Sequence, residues 1–218
     1  MAQRLKEARR KIQPGRGLSG SGPNRAPSSR ALQAACTRVF DDRPAGHDPA
    51  SVVSVHIIDS PLGSLVAAAT PRAVVMLEFA DPFVLEQRVQ RLESCFHMSA
   101  VSGSSPPIRL LEQQLKAYFD GCRREFDVPL EYPGTPFERR VWSALLTIPY
   151  GQTRSYAGVA AQVGQPAACR AVGMANGRNR LAILLPCHRV VNKNGEIGGY
   201  GGGLWRKRYL LDLERRHV

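Results

Sequence analysis

Three short apolar runs open the patterned portion of the chain: SVVSVHII (51–58), SLVAAAT (64–70) and RAVVMLEF (72–79). They are broken by Ser60-Pro61-Leu62-Gly63 and by Pro71, so they predict strands joined by tight connections. The period then changes. Leu85, Val89, Leu92 and Phe96 recur at helical spacing, and so do Ile108, Leu111, Leu115 and Tyr118. REFDVPLEY (124–132) predicts one more strand, placed at a sheet edge by Pro129. Residues 51–131 therefore read as a small α/β unit, and nothing in them points to chemistry.

The pattern becomes helical after Gly134. Thr135-Pro136-Phe137-Glu138 matches a helix start: Thr accepts from the first-turn amides, Pro suits the first turn, and Glu can bond back to the cap. Phe137, Val141, Leu145 and Ile148 form the apolar stripe, and Tyr150-Gly151 ends it. Ser155 can cap a second short helix carrying Tyr156, Val159, Ala160 and Val163 on one face. Gly164-Gln165 turns the chain, and Pro166 can open a third helix through about Met174. Two short helices about a glycine turn fit a helix-turn-helix. Ile183–Pro186 reads as a short buried strand or approach segment, and LWRKRYLLDLERR (204–216) as a closing helix.

Composition and charge change this picture at the ends of the chain. The 218 residues carry a net charge of +12. Residues 1–30 hold eight basic and one acidic side chain, 31–134 nine and thirteen, and 135–218 thirteen and four. A basic C-terminal part suits a polyanion partner, most often nucleic acid, or simply a solvated basic surface. Residues 1–50 are basic and rich in Gly, Pro and Ser, and read as a flexible extension outside the folded units 51–131 and 132–218. No apolar run approaches membrane-spanning length and no signal-peptide core is present, which predicts a soluble cytoplasmic protein, nuclear in a eukaryote. The Arg-rich, acid-poor N-terminus is also compatible with an organelle transit peptide. Five cysteines (Cys36, Cys95, Cys122, Cys169 and Cys187) are odd in number and lack a C-x-x-C pair, which argues against a disulfide framework or a zinc site and for reduced thiols.

The candidate chemistry gathers in ILLPCHRVVNKNGEIGGYGGG (183–203). Cys187 follows Pro186 and precedes His188. A free thiol is mostly protonated at neutral pH, and an imidazole can act as its base. Neighbouring side chains usually diverge, so adjacency alone leaves an inert buried cysteine open, while a bridging water would relax the geometry. Glu214 shares a helix face with Leu210. It can lie inward behind His188, giving a nucleophile–base–orienter set, or outward against Arg215 or Arg216. Glycines 195, 198, 199 and 201–203 surround Tyr200 without a Walker or GxGxxG pattern, and suit a flat ligand beside exposed backbone.

PCHRVV with the downstream GGYGGGL resembles the active-site segment of the O6-alkylguanine-DNA alkyltransferases. The resemblance runs from TPFERRVWSALLTIPYGQTRSY through RAVGMANGRN to LLDLE, about residues 135–214, and 51–131 resembles that family's smaller ribonuclease-H-like domain in outline. It implies an α+β protein, with a mainly helical, winged-helix-like DNA-binding domain following the α/β domain. It also implies a monomer acting on double-stranded DNA without cofactor or metal. By resemblance Cys187 takes the alkyl group irreversibly from O6-alkylguanine, with O4-alkylthymine a further candidate substrate. His188 activates Cys187 through a water with Glu214 behind it, Asn179 holds the turn, and Tyr156 donates to the guanine ring nitrogen. Carbonyls near Cys187 and Val190 would read the exocyclic amine, while Tyr200 and the Gly201 amide border the base. The base must be flipped out of the stack. The helix from Pro166 would enter the minor groove, with Arg170 in the vacated space and Ala167 and Ala168 permitting close approach. The chain departs from some members in carrying Gly201 for Ser, and Cys169 beside Arg170. RLKEARRKIQ and TRVFDDRP resemble fragments of the regulatory region of adaptive-response members, but no cysteine cluster accompanies them. A damage-recognition protein without transfer and a Cys-His hydrolase are the competing readings.

Overall fold

The computed structural model describes residues 52–80, 90 and 92–218. The basic extension 1–50 and the helical positions Leu85 and Val89 lie outside the described residues, while residues 92–96 are helical. The three apolar runs form strands β1 (Val52–Ile58), β2 (Leu65–Ala69) and β3 (Val74–Phe79). A fourth strand, β4 (Ser99–Ser102), completes a sheet ordered β3-β2-β1-β4. β1–β2 and β2–β3 are antiparallel, and β1–β4 is parallel. The sequence reading missed β4, whose SAVS offers too short an alternation to stand out.

The central strand β2 is apolar throughout, and β1 and β3 nearly so, because both faces of the sheet are covered. On one face Val53, Val55, Val66, Met76 and Leu92 pack together. On the other, Leu65, Ala67, Leu77 and Phe79 meet helix α1 (Pro106–Phe119) through Ile108, Leu111, Leu115 and Tyr118. This second cluster continues without interruption into the C-terminal helices, so one core serves both halves of the chain.

Helix α2 (Pro136–Leu146) begins with the expected capping box: Thr135 accepts from the Glu138 amide, and Glu138 accepts from the Thr135 amide. It ends at Leu146, four residues before Tyr150. Ser155 caps α3 (Tyr156–Gln162) by accepting from the Gly158 amide. The next helix, α4, spans Cys169–Gly177 instead of opening at Pro166. Pro166–Ala168 form a turn closed by the Ala168 amide on the Gln165 carbonyl. Helix α5 spans Leu204–Arg216, and two-residue strands β5 (Arg154–Ser155) and β6 (Val190–Val191) pair in parallel beneath the site.

Two expected strands are something else. REFDVPLEY touches β3 only through a single bridge, Leu130 with Val74, where the Pro129 carbonyl accepts from Val74 and the Glu131 amide donates back to it. Ile183–Pro186 is buried as expected, but it turns back on itself, and Ile183 adopts φ 72°. The preceding residues dock on β3, with Leu77 donating to the Arg180 carbonyl and accepting from the Ala182 amide, both at 2.8 Å. The sheet edge therefore holds the segment leading to Cys187.

A second contact between the halves lies at the glycine loop. Arg206 donates to the Leu62 and Gly202 carbonyls, with its guanidinium 4.3 Å from the Phe79 ring centroid and 4.6 Å from that of Trp205. Gly202 fits under Phe79 only because it lacks a side chain: a Cβ there would lie 2.5 Å from two Phe79 ring carbons and 2.8 Å from Tyr200. Phe79 cannot swing aside without leaving Arg206. Gly202→Ala is expected to lower stability by about 1–3 kcal/mol, as overpacking does. Urea unfolding followed by circular dichroism reads this, and an unchanged midpoint would contradict the fixed position of Phe79.

Candidate active site

Cys187, His188 and Arg189 occupy one 3-10 turn, with all three side chains buried. Tight backbone bonds set that turn: the Cys187 amide donates to Leu185 and the Arg189 amide to Pro186. Asn179 laces the approach. Its Oδ1 accepts from the Leu181 amide, and its Nδ2 donates to the Leu185 carbonyl at 2.8 Å and to the Cys187 Sγ at 3.1 Å. A side chain eight positions upstream thus fixes both the turn and the sulfur.

Cys187 is 8% exposed. Burial pushes its pKa up, while the Asn179 bond and the Lys207 charge pull the other way. Burial wins, so the resting group is a protonated thiol that needs a base. His188 is fully buried, and burial holds its pKa below the ordinary imidazole value, against the Glu214 carboxylate that favours the charged ring. Its Nε2 lies 2.8 Å from Glu214 Oε1. Burial alone would raise Glu214, but the bonds from His188 and Arg189 outweigh it and hold the carboxyl at about 2. A carboxylate accepts only, so His188 Nε2 carries the hydrogen and Nδ1 has the lone pair. Nδ1 has no partner among the described residues and is the basic atom of the ring.

Five bonds converge on Glu214. Tyr118 donates to Oε1 at 2.7 Å, His188 at 2.8 Å and Arg189 Nη2 at 3.0 Å, while Oε2 accepts from Arg189 Nε at 2.9 Å and the Gly151 amide at 3.1 Å. The inward alternative for this residue is the one the fold adopts. Arg215 and Arg216 bond elsewhere, to the Asp212 carboxylate and carbonyl. Arg189 also reaches the Ile148 carbonyl at 2.6 Å and lies 5.7 Å from the Tyr150 ring centroid.

The remaining predicted residues lie at different depths, and of them Tyr156 and Tyr200 interact electrostatically with Cys187. Tyr156, at the start of α3, bonds the Gly199 carbonyl at 3.4 Å; burial raises its pKa, with the Cys187 charge adding. Tyr200 is raised for the same two reasons, and its buried hydroxyl has no partner among the described residues. Gly198 allows Tyr156 to lie against the loop, since a Cβ there would be 3.0 Å from the ring. Gly201 differs: a Cβ would meet nothing within 4 Å, so the missing side chain is not demanded by packing. Val190 is buried, and its carbonyl accepts from Lys207 Nζ. Arg170 and Ala167 are exposed and Ala168 half-buried, on the outer end of α4 and its preceding turn, away from the Glu214 network. Cys169 is half-buried at the first residue of α4.

Sequence reasoning missed Tyr118, Arg189, Gly151 and Lys207. Arg189 carried a signal in its adjacency to Cys187 and His188. Lys207 lies three residues before Leu210 on the same inward stripe, which could have marked it as buried. Tyr118 had only its helical spacing, which spoke for core packing. Among the described residues no group of three His, Cys, Asp or Glu side chains comes together in a way that could hold a metal, and no helix is long and apolar enough to cross a membrane.

Residues 53–132 match the ribonuclease-like domain of 6-O-methylguanine DNA methyltransferase, and residues 136–216 match its DNA-binding domain. The chain belongs to the 6-O-methylguanine DNA methyltransferase family. It is 48% identical to the methylated-DNA--protein-cysteine methyltransferase of Mycobacterium leprae over 162 residues, covering 74% of this chain and 92% of that protein. It is 45% identical to that of Mycolicibacterium paratuberculosis over 166 residues, covering 76% and 94%. Among solved structures, Mycobacterium tuberculosis OGT in complex with DNA superposes with a TM-score of 0.66 at 44% identity, covering 76% of this chain and 94% of that one.

The network sets a pH dependence of stability. His188 is depressed in the fold, so the unfolded chain binds more protons below its ordinary value near 6.5, and stability falls as pH drops through that range. Glu214 is depressed too, so a second loss follows as pH falls from about 4.5 towards about 2. Glu214→Gln should remove the lower loss and, by leaving Arg189 buried without its partner, reduce stability at pH 7 by about 3–5 kcal/mol. Urea midpoints measured at a series of pH values check both.

Proposed function

We propose that this protein repairs DNA by moving the alkyl group of O6-alkylguanine onto Cys187, once per molecule. The observation that carries the reading is a buried Cys187 thiol held by Asn179, followed in the same turn by a neutral imidazole whose Nε2–H is fixed on Glu214. That geometry supplies a nucleophile, a base and an orienting group in one buried place. It also explains how adjacent residues can cooperate: His188 turns Nε2 inward to Glu214, leaving Nδ1 to take the thiol proton through a water.

The sulfur then forms a bond to the alkyl carbon as the bond from that carbon to O6 breaks. The electron pair leaves with guanine, and a proton returned to the base completes the balance. Tyr156 and Tyr200 have phenols kept protonated by burial, so either can donate to charge developing on the departing ring. Tyr156 is the better donor towards the ring nitrogen by resemblance, and Tyr200 with the Gly201 amide borders the base. The Val190 carbonyl is held by Lys207 and retains a second lone pair for the exocyclic amine. A thioether C–S bond does not hydrolyse readily, which makes the transfer irreversible, and guanine as the leaving group makes a cofactor unnecessary.

The alkyl carbon is reached only after the nucleotide leaves the stack, at roughly a few kcal/mol. The pair α3 and α4, joined by residues 163–168, serves as the helix-turn-helix. Arg170 at the exposed start of α4 would fill the vacated space, while Ala167 and Ala168 allow the groove wall to approach. The basic C-terminal part would hold phosphates without reading sequence. We read the protein as a monomer in the cytoplasm, or the nucleus of a eukaryote.

Intact mass after incubation with a duplex containing O6-methylguanine should show one added methyl group on the Cys187 peptide, and Cys187→Ser should show none. Damaged-duplex binding with no mass change in the wild type would favour a recognition protein instead, and repeated turnover would favour a hydrolase. Arg170→Ala should slow transfer from the duplex at least tenfold while changing transfer from the free O6-methylguanine base by less than twofold. Equal slowing on both substrates would remove Arg170 from the flipping step.

A further inference from the structure

The relay from Cys187 to Glu214 leaves one buried hydroxyl unexplained. Tyr118 lies in the last turn of α1, 96 residues before Glu214, in the half of the chain that carries no other group of the relay. It is fully buried. Its ring has aromatic neighbours on several sides: Phe119 and Phe126 at 5.4 Å and Tyr150 at 6.0 Å between centroids. Such a cage would hold a phenylalanine equally well. A hydroxyl buried there is costly unless it is paired, and its partner is Glu214 Oε1 at 2.7 Å. Burial first, and then the Glu214 charge, push the phenol pKa well up, so it remains a donor.

Oε1 is the oxygen that also holds His188. We propose that Tyr118 is a positioning residue for alkyl transfer: by sharing Oε1 with His188 it weakens the carboxylate's hold on the imidazole proton and keeps the ring available as a base. This rests on the functional reading above. Charged and titratable groups reach His188 and Glu214 from several elements: Glu214 and Lys207 from α5, and Cys187 and Arg189 from the 3-10 turn. Tyr150 follows α2, with Arg124 5.9 Å from its ring centroid. Of these, Glu214 alone favours the protonated imidazole, whereas Arg189 and Lys207 disfavour it. The Tyr118 hydroxyl joins the disfavouring side without adding a charge, and it places that control in the N-terminal half.

The test is the single-turnover rate of transfer from a duplex containing O6-methylguanine, measured from pH 5.5 to 9. It compares the wild type, Tyr118→Phe and the protein with 3-fluorotyrosine at position 118. Tyr118→Phe strengthens the Glu214–His188 attraction, so the acidic limb should move up by about half a pH unit, roughly a threefold loss of rate at the acid end and less than twofold above pH 8. The fluorinated residue keeps the shape and donates more strongly, so its limb should move down. Should the phenylalanine variant not fold, the fluorinated protein decides the matter alone. An unmoved limb, a shift of the same sign in both, or a uniform loss at all pH values with a lowered melting temperature would make Tyr118 scaffold and overturn the inference. Absence of transfer by the wild type would overturn the functional reading and the inference with it.

Discussion

The carboxylate of Glu214 has no exposure to solvent and is ionised. An ion in that position is tolerable only if its lone pairs are filled, and they are, by donors from three separate places in the chain. Tyr118 comes from α1, Gly151 from the turn after α2, His188 and Arg189 from the 3-10 turn, while α5 supplies the carboxylate. None of these segments can shift without exposing charge to an apolar interior. The arrangement of the two halves of the molecule is therefore fixed by the same group that orients the imidazole.

Arg189 makes the chemistry of this anchor workable. A lone buried carboxylate beside His188 would hold the ring as an imidazolium, which cannot accept a proton. The bidentate guanidinium offsets the charge, and burial then dominates, leaving the ring neutral. The sequence triplet Cys-His-Arg thus places a buried thiol, an imidazole and the counter-charge to Glu214 on one turn of backbone.

Much of the local structure could be read from pattern, because it depends on near neighbours. The three strands, the capping box at Thr135, the Ser155 cap and the span of α5 follow from spacing and end chemistry. Cys187, His188 and Glu214 were visible as candidates for the same reason. What escaped depends on distance in the chain. The approach to Cys187 has the composition of a strand, but β3 engages only its first residues, and the turn at Ile183 consumes the rest. REFDVPLEY meets the same sheet through one bridge. Pro166 can open a helix, yet the chain spends it on the turn ahead of Cys169. Tyr118 looked like one more apolar contact because spacing shows where a ring faces and not what its hydroxyl will meet.

The separation of Tyr118 from Glu214 also bears on the order of assembly. Contacts between residues far apart in sequence close late, since the intervening chain must first be organised. The sheet and α1 can pair from local contacts, but the imidazole acquires its orientation only when α5 packs across them. Until then no carboxylate fixes the imidazole tautomer, and the thiol is open to solvent instead of held in its buried turn. Closing that one contact therefore completes the site and joins the two halves of the chain in a single event.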